Sequence, residues 1–200
     1  MDVYFIRHGQ TDGNVASRHQ HANTPLNEVG IEQAKVVAKV LLDYNPTHLV
    51  TSTQKRALTT ASYISETTGL IPETSDDLVE ILRPLYLVGE RRGGWRMVVY
   101  MSLWYFGYRP ASRHDGESYE EMRQRMRRAK NHLATFPSDA KVVVVSHAGF
   151  ITFFLAHLNY DNALSVFEAL GVLWRMTKVR NAQIIHLSYD TKEKEWHIES

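Results

Sequence analysis

The sequence predicts an α/β fold: a three-layer α/β/α sandwich, with a mostly parallel central sheet and helices on both faces. Three observations predict it. Short, uninterrupted apolar runs of β-forming residues, Val3-Tyr4-Phe5-Ile6 and the four valines of Lys141–Ser146, read as strands buried on both sides. Segments with apolar residues three and four apart lie between the strands, the order expected of parallel strands joined by crossover helices. A chain of 200 residues, 44% hydrophobic and 22% charged, suits one globular domain with a core of its own.

The elements follow in order. After Val3–Ile6 comes a polar loop from Gly9 to Pro25. Asn27 is a helix N-cap, and Val29, Ala34, Val37, Ala38, Leu41 and Leu42 form the inner face of the helix it starts. Thr47–Ser52 reads as the second strand, and Gln54–Thr68 as a helix that Gly69 closes. Leu78–Leu82 reads as a short third strand. Tyr119, Met122, Met126, Ala129, Leu133 and Phe136 recur at spacings of three and four, with Ser118 and Glu121 as a capping box at the start of that helix. A strand at Lys141–Ser146 precedes a helix at about 149–158. Gln183–Ser188 and Glu195–Ile198, around a polar turn, read as a closing hairpin.

Composition excludes several function classes. There is no cysteine, hence no disulfide framework, thiolate metal site or cysteine nucleophile. Lys plus Arg number 23 against 22 Asp plus Glu, a net charge of +1, so no overall field attracts nucleic acid or a membrane surface. Histidine is frequent: protonating all ten would move the net charge from +1 to +11. Asp2 and the short run before Arg7 do not form a targeting peptide, and no stretch approaches the ~18–20 apolar residues of a spanning helix. The expectation is a soluble, cytoplasmic protein.

Ligands of α/β sheets bind beyond the carboxyl ends of the strands, so the residues there decide function. Arg7-His8-Gly9 follow the first strand, and Ser52 with Arg56-Ala57 the second. Glu80 lies in or after the third, and Ser146-His147-Ala148-Gly149 end the four-valine strand. Taken singly, each has a plainer explanation: a turn glycine, a solvated helix arginine, a surface glutamate, a core histidine. Together they supply what one reaction needs. Neutral imidazole attacks phosphorus, guanidinium forks match phosphoryl oxygens, and a carboxylic acid protonates a leaving oxygen. Beside Arg7 and Arg56, His8 should stay neutral. A glutamate titrating near 4.3 would be protonated only about once in 500 at pH 7, so Glu80 needs a raised pKa, an acidic medium or an easy leaving group.

These motifs resemble those of the histidine phosphatase superfamily, with its phosphoglycerate-mutase-like fold. Arg7-His8-Gly9-Gln10-Thr11 with Asn14 is similar to that family's opening motif, and Pro25–Gly30 with Glu32-Gln33-Ala34 to its next block. Ser52, Arg56-Ala57 and Thr60-Ala61 resemble its second arginine block. Gly116–Ser118, Ser146–Gly149 and Asn181-Ala182 resemble its later motifs. The resemblance covers the chain as one domain, 1–200, except a less family-like lid or insertion at about 82–114.

The resemblance implies a metal-independent, cofactor-free phosphomonoesterase. His8 would be the nucleophile and become phosphohistidine. Arg7, Arg56 and His147 would clamp the phosphoryl group, and Glu80 would be the acid and then the base. Asn14, Gln10, Thr11, Asn23 and Ala148 would bind substrate, a small phosphorylated metabolite or other phosphate monoester. His21 and Asn23 stand where relatives often carry Gly and Asp. Ile81-Leu82-Arg83-Pro84 replaces the Arg-His-Tyr-Gly run of the mutases, and Gln10 their usual Glu, which favours a phosphatase over a mutase. The alternatives are a mutase-like phosphoryl transfer and a non-catalytic module that holds a phosphorylated partner.

Two features stand outside the resemblance. The apolar Met97–Tyr108 reads as a lid helix packed on the body, or else as an exposed patch for a partner, a homodimer mate or a membrane surface; as a wall over the pocket it would admit a substrate with an apolar portion. Arg83–Lys130 holds eleven basic and five acidic residues, and Arg123, Arg125, Arg127 and Arg128 lie largely off the apolar stripe of their helix. They read as a solvated face, or else one that steers polyanions.

Overall fold

Strand β1 (Asp2–Arg7) is apolar on both faces because both are covered: Val3, Phe5 and Ile6 have no exposed surface and Tyr4 almost none. Strand β4 (Lys141–Ser146) runs parallel beside it, with Val3 opposite Val142 and Arg7 opposite Ser146. Strand β2 (His48–Ser52) pairs in parallel with β4, and strand β3 (Pro72–Ser75) in parallel with β2. On the other side of β1, strands β5 (Ile184–Asp190) and β6 (Glu195–Ile198) add antiparallel. The sheet runs β3-β2-β4-β1-β5-β6. The computed structural model describes residues 1–107, 116–160 and 162–199.

Alternation along the central strands divides the core in two. Tyr4, Ile6, Leu49, Val143 and Val145 pack against helices α2 (Glu28–Leu42) and α3 (Lys55–Thr68). Val3, Phe5, Val50, Val142 and Val144 face the larger cluster. It is built with α4 (Trp95–Tyr105), α5 (Tyr119–Leu133), α6 (Ala148–Ala156) and α7 (Val166–Met176). Each fully buried Val, Leu, Ile or Phe side chain stabilises by about 1.5–3 kcal/mol, so both layers hold the sheet firmly.

The caps fall where the sequence puts them. Asn27 accepts the Gly30 N–H, and Ser118 and Glu121 form a reciprocal capping box. Gly69, at φ 75°, closes α3. Other elements differ from the sequence reading. The third strand is Pro72–Ser75, not Leu78–Leu82, which forms a 3-10 turn (Asp76–Leu78) and then unpaired chain. Pro72-Glu73-Thr74-Ser75 lacks an apolar signature because it is an edge strand, and its proline is tolerated at the strand's first position. Val29 and Leu42 are exposed; Gly30 takes the inward place instead. A short helix α1 (Asp12–Val15) interrupts the loop read as irregular.

The segment read as a lid is α4. Met97, Tyr100 and Trp104 pack into the core while Trp95, Val98, Val99 and Leu103 stay exposed. The end of that reading, residues 108–114, lies outside the described residues. The arginine face on α5 is not simply solvated. Arg125 is buried and forks onto Glu117 at 2.6 and 3.0 Å, while its Nη1 donates to the carbonyls of Asp77 and Val79. That pair ties α5 to the chain leading into Glu80.

Candidate active site

The parallel register brings the carboxyl ends of β1, β2 and β4 to one level, and their next residues meet there. The His8 N–H donates to the Ser146 carbonyl at 3.0 Å. The rings of His8 and His147 lie 5.1 Å apart. From the first turn of α3, the Arg56 Nε–H reaches His8 Nε2 at 3.2 Å. Gly9 permits this crowding: a Cβ there would stand 2.3 Å from the Gly30 carbonyl oxygen, so the His8 loop lies directly on the start of α2. The glycine serves close approach rather than a turn.

Hydrogen bonds set the tautomers. His8 Nδ1 lies 2.7 Å from the Gly9 carbonyl, which can only accept, so the proton sits on Nδ1 and the Nε2 lone pair takes the Arg56 bond. His147 Nε2 lies 2.8 Å from Ser52 Oγ, and that oxygen already accepts the Gln54 N–H. With the Ser52 hydroxyl donating to Nε2, the His147 proton is assigned to Nδ1. Burial, then His147, Arg56 and Arg7, hold His8 well below the usual imidazole range. Burial, then Arg56, Arg125 and Arg7, do the same to His147. Both rings are neutral at pH 7.

Three buried donors around His8 find no acceptor among the described residues: Arg7 Nε, Asn14 Nδ2 and His147 Nδ1. Unsatisfied buried polar groups are uncommon enough to need a reason, and an oxyanion ligand supplies one. Arg7 and Arg56 are lowered to about 10, chiefly by burial, and both stay cationic at neutral pH. Asn181 Nδ2 donates to the His8 carbonyl at 2.9 Å and to Asn14 Oδ1 at 3.2 Å, which holds the Asn14 amide with its nitrogen free.

Glu80 is set at the amino end of α6. Its carboxylate accepts from the N–H groups of Ile81 (2.9 Å), Phe150 (3.1 Å) and Gly149 (3.3 Å). A Cβ on Gly149 would fall 2.3 Å from Glu80 Oε1, so the carboxylate occupies the space a side chain would fill. Burial pushes the Glu80 pKa up. Arg83, the Ile81 N–H, Arg56 and the Gly149 N–H outweigh burial and leave it below the usual carboxylate value. Glu80 is therefore ionised without a ligand, and the raised pKa considered from sequence is not what the site provides.

A cavity of about 670 Å3 opens over this cluster. Arg7, His8, Asn14, Arg56, Glu80 and Ala148 line it. His147 lies just beneath, fully buried, and Gln10, Thr11 and Asn23 are not on its wall. Thr11 instead caps α1 and bonds Asn14 and Gln20. Among the other lining residues, the basic groups His19, Arg83 and Arg92 carry no site role in the sequence reading. His19 is lowered to about 4 by burial, Arg83 and Arg92. Arg83 and Arg92 come from the irregular chain between β3 and α4, tied to residues 17–19 by a single bridge at Arg91, where spacing carries no periodic signal; the local excess of arginine is the hint the sequence offers. Among the described residues, no group of three His, Cys, Asp or Glu is placed to hold a metal, and no helix is long and apolar enough to cross a membrane.

The sequence profile of the histidine phosphatase superfamily (branch 1) matches residues 3–199. A Yersinia pestis protein named "Probable phosphoglycerate mutase GpmB" is 32% identical over 154 residues, 74% of this chain and 69% of that protein. Among solved structures, a mycobacterial glucosyl-3-phosphoglycerate phosphatase is similar at 28% identity and TM-score 0.75, over 100% of this chain and 97% of that one. The alpha-ribazole phosphatase of Shigella flexneri shares the fold at 24% identity and TM-score 0.77, covering 100% and 95%.

Proposed function

The chain belongs to the histidine phosphatase superfamily, and from that premise we propose that it is a phosphomonoesterase working through a phosphohistidine on His8. The observation that carries the reading is the set of unpartnered buried donors, Arg7 Nε, Asn14 Nδ2 and His147 Nδ1, around a neutral imidazole whose unprotonated Nε2 is held by Arg56. Three donors suit three phosphoryl oxygens, with Arg56 turning from Nε2 to the incoming phosphate. Removing one such donor commonly costs about 2.7–4 kcal/mol of transition-state stabilisation.

The chemistry runs in two displacements. His8 Nε2 attacks phosphorus as the ester P–O bond breaks, and the leaving oxygen takes a proton from Glu80. Water then attacks phosphorus, its proton passes to the Glu80 carboxylate, and the P–N bond breaks to release phosphate and neutral His8. Glu80 reaches its protonated state when substrate binds. Phosphate charge offsets Arg83 and Arg56, two of the groups that hold its pKa down, and burial then dominates.

Glucosyl-3-phosphoglycerate phosphatase and alpha-ribazole phosphatase activities in similar structures support hydrolysis. The mutase reading has the Yersinia relative in its favour. The test is phosphate release from a panel of phosphoesters, with and without a chelator, by wild type and His8→Ala. Chelator-insensitive release that His8→Ala abolishes is expected. A rearranged phosphoester in place of inorganic phosphate would make it a mutase, and release by His8→Ala would remove the histidine from the chemistry.

A further inference from the structure

The cavity extends well beyond the phosphate end. Two helices face each other across it, each by one stripe: Met97, Met101 and Tyr105 on α4, and Ala169, Leu173 and Met176 on α7. Only Val172 of α7 is fully buried, so most of that helix's apolar surface turns to the cavity or to solvent rather than into the core. At the rim, Val98, Phe106, Val166 and Leu170 line the same cavity while staying largely exposed. Exposed apolar surface continuous with an apolar chamber marks a ligand site.

Apart from Ser102, the polar side chains of these two helical walls spend their donors elsewhere. Trp104 Nε1 donates to the Glu117 carbonyl at 2.8 Å, Tyr105 Oη to the Leu164 carbonyl at 2.7 Å, and Thr177 Oγ1 to the Trp174 carbonyl at 2.7 Å. A sugar placed here would bury several hydroxyls against walls that are mostly apolar and offer few partners, a cost that an alkyl or aryl group does not incur.

We propose that this chamber between α4 and α7 is the subsite for the alcohol portion of the substrate, and that it selects phosphate monoesters of bulky apolar alcohols over those of polyhydroxylated ones. The proposal rests on the phosphatase reading for its phosphate end, and on α4 and α7 for its selectivity.

The test is a homologous series of n-alkyl phosphates, methyl to octyl, with glucose 6-phosphate as the polar comparison, all below micelle formation. Burial of one methylene corresponds to about a fourfold gain, so kcat/KM should climb by up to that factor per carbon until the chamber is filled. Octyl phosphate should exceed glucose 6-phosphate by at least about a hundredfold. Ala169→Phe, which fills the chamber from the α7 side, should flatten the series. Leu173→Gln should lower the slope as well, and it tests the same wall should Ala169→Phe fold poorly. Phosphate release with no dependence on chain length, or with glucose 6-phosphate preferred, overturns the chamber and leaves the phosphatase reading intact. Calorimetry on His8→Ala with methyl- and octylphosphonate separates the two claims from the other side. Octylphosphonate should bind far more tightly, with a negative heat-capacity change, even if no ester is hydrolysed. Equal binding of the two phosphonates refutes the subsite.

Discussion

Glu80→Gln isolates the proton-transfer role, because the replacement keeps the shape of the side chain. The Gln carbonyl oxygen can take the place of Oε1 and accept from Ile81 and Phe150, leaving its amide to face the Gly149 N–H, the longest of the three contacts at 3.3 Å. Folding should therefore change by about 1–3 kcal/mol, the cost of leaving the Gly149 N–H without an acceptor in a buried site. Catalysis should change much more, since a positioned acid–base group is commonly worth about 10²–10⁴ in rate. The loss should depend on the ester. With an alkyl phosphate, whose leaving oxygen needs a proton, kcat/KM should fall by at least about a hundredfold. With an aryl phosphate bearing a nitro group, the first step needs little help and kcat/KM should fall by less than about tenfold. Hydrolysis of the phosphoenzyme still lacks its base, so phosphoenzyme should accumulate and a burst of the phenol should precede a slow steady state. Stopped-flow absorbance measures the burst, and phosphate release measures the steady state. An equal loss on both esters, or full activity on the alkyl ester, would remove Glu80 from proton transfer.

Gly149→Ala places a methyl 2.3 Å from Glu80 Oε1, so the carboxylate must move; kcat should drop by roughly tenfold or more while thermal denaturation shifts little. Arg125→Ala strands Glu117 and the carbonyls of Asp77 and Val79, and should cost about 3–5 kcal/mol in urea unfolding. Arg128→Ala, which breaks an exposed pair with Asp77, should cost under about 1 kcal/mol by the same measurement. Acid should destabilise the fold through its histidines. His8, His147 and His19 all titrate lower folded than unfolded, so between about 6.5 and their folded values the unfolded chain binds more protons and stability falls as pH falls. For His19 the window runs from about 6.5 to about 4, and His19→Gln should flatten the stability–pH slope there by up to about 1.4 kcal/mol per pH unit. An unchanged slope would mean that His19 is not held neutral.

Much of this architecture is readable in the sequence because its central strands are covered on both faces, and unbroken apolar runs such as Val142–Val145 signal that directly. Strand ends then point to Arg7, His8 and His147, since nothing but register is needed to bring them together. Signals failed where tertiary context decides. The edge strand Pro72–Ser75 has little apolar pattern to read. Val166–Met176 shows apolar residues on several sides, because part of its surface faces the cavity instead of the core, and the sequence reading assigned it no helix. Arg125 has the spacing of a solvated residue yet is buried, because Glu117, 8 positions away, neutralises it. Arg83, Arg92 and His19 reach the site from irregular chain, and only three-dimensional placement brings them there.

The most direct measurement is rapid-quench trapping of the wild-type enzyme with a radiolabelled phosphate monoester, followed by peptide mapping under alkaline conditions. An acid-labile, base-stable phosphoryl group is expected on the peptide containing His8, formed and lost at rates that match turnover. Turnover with no labelled protein, or label on any residue other than His8, would contradict it.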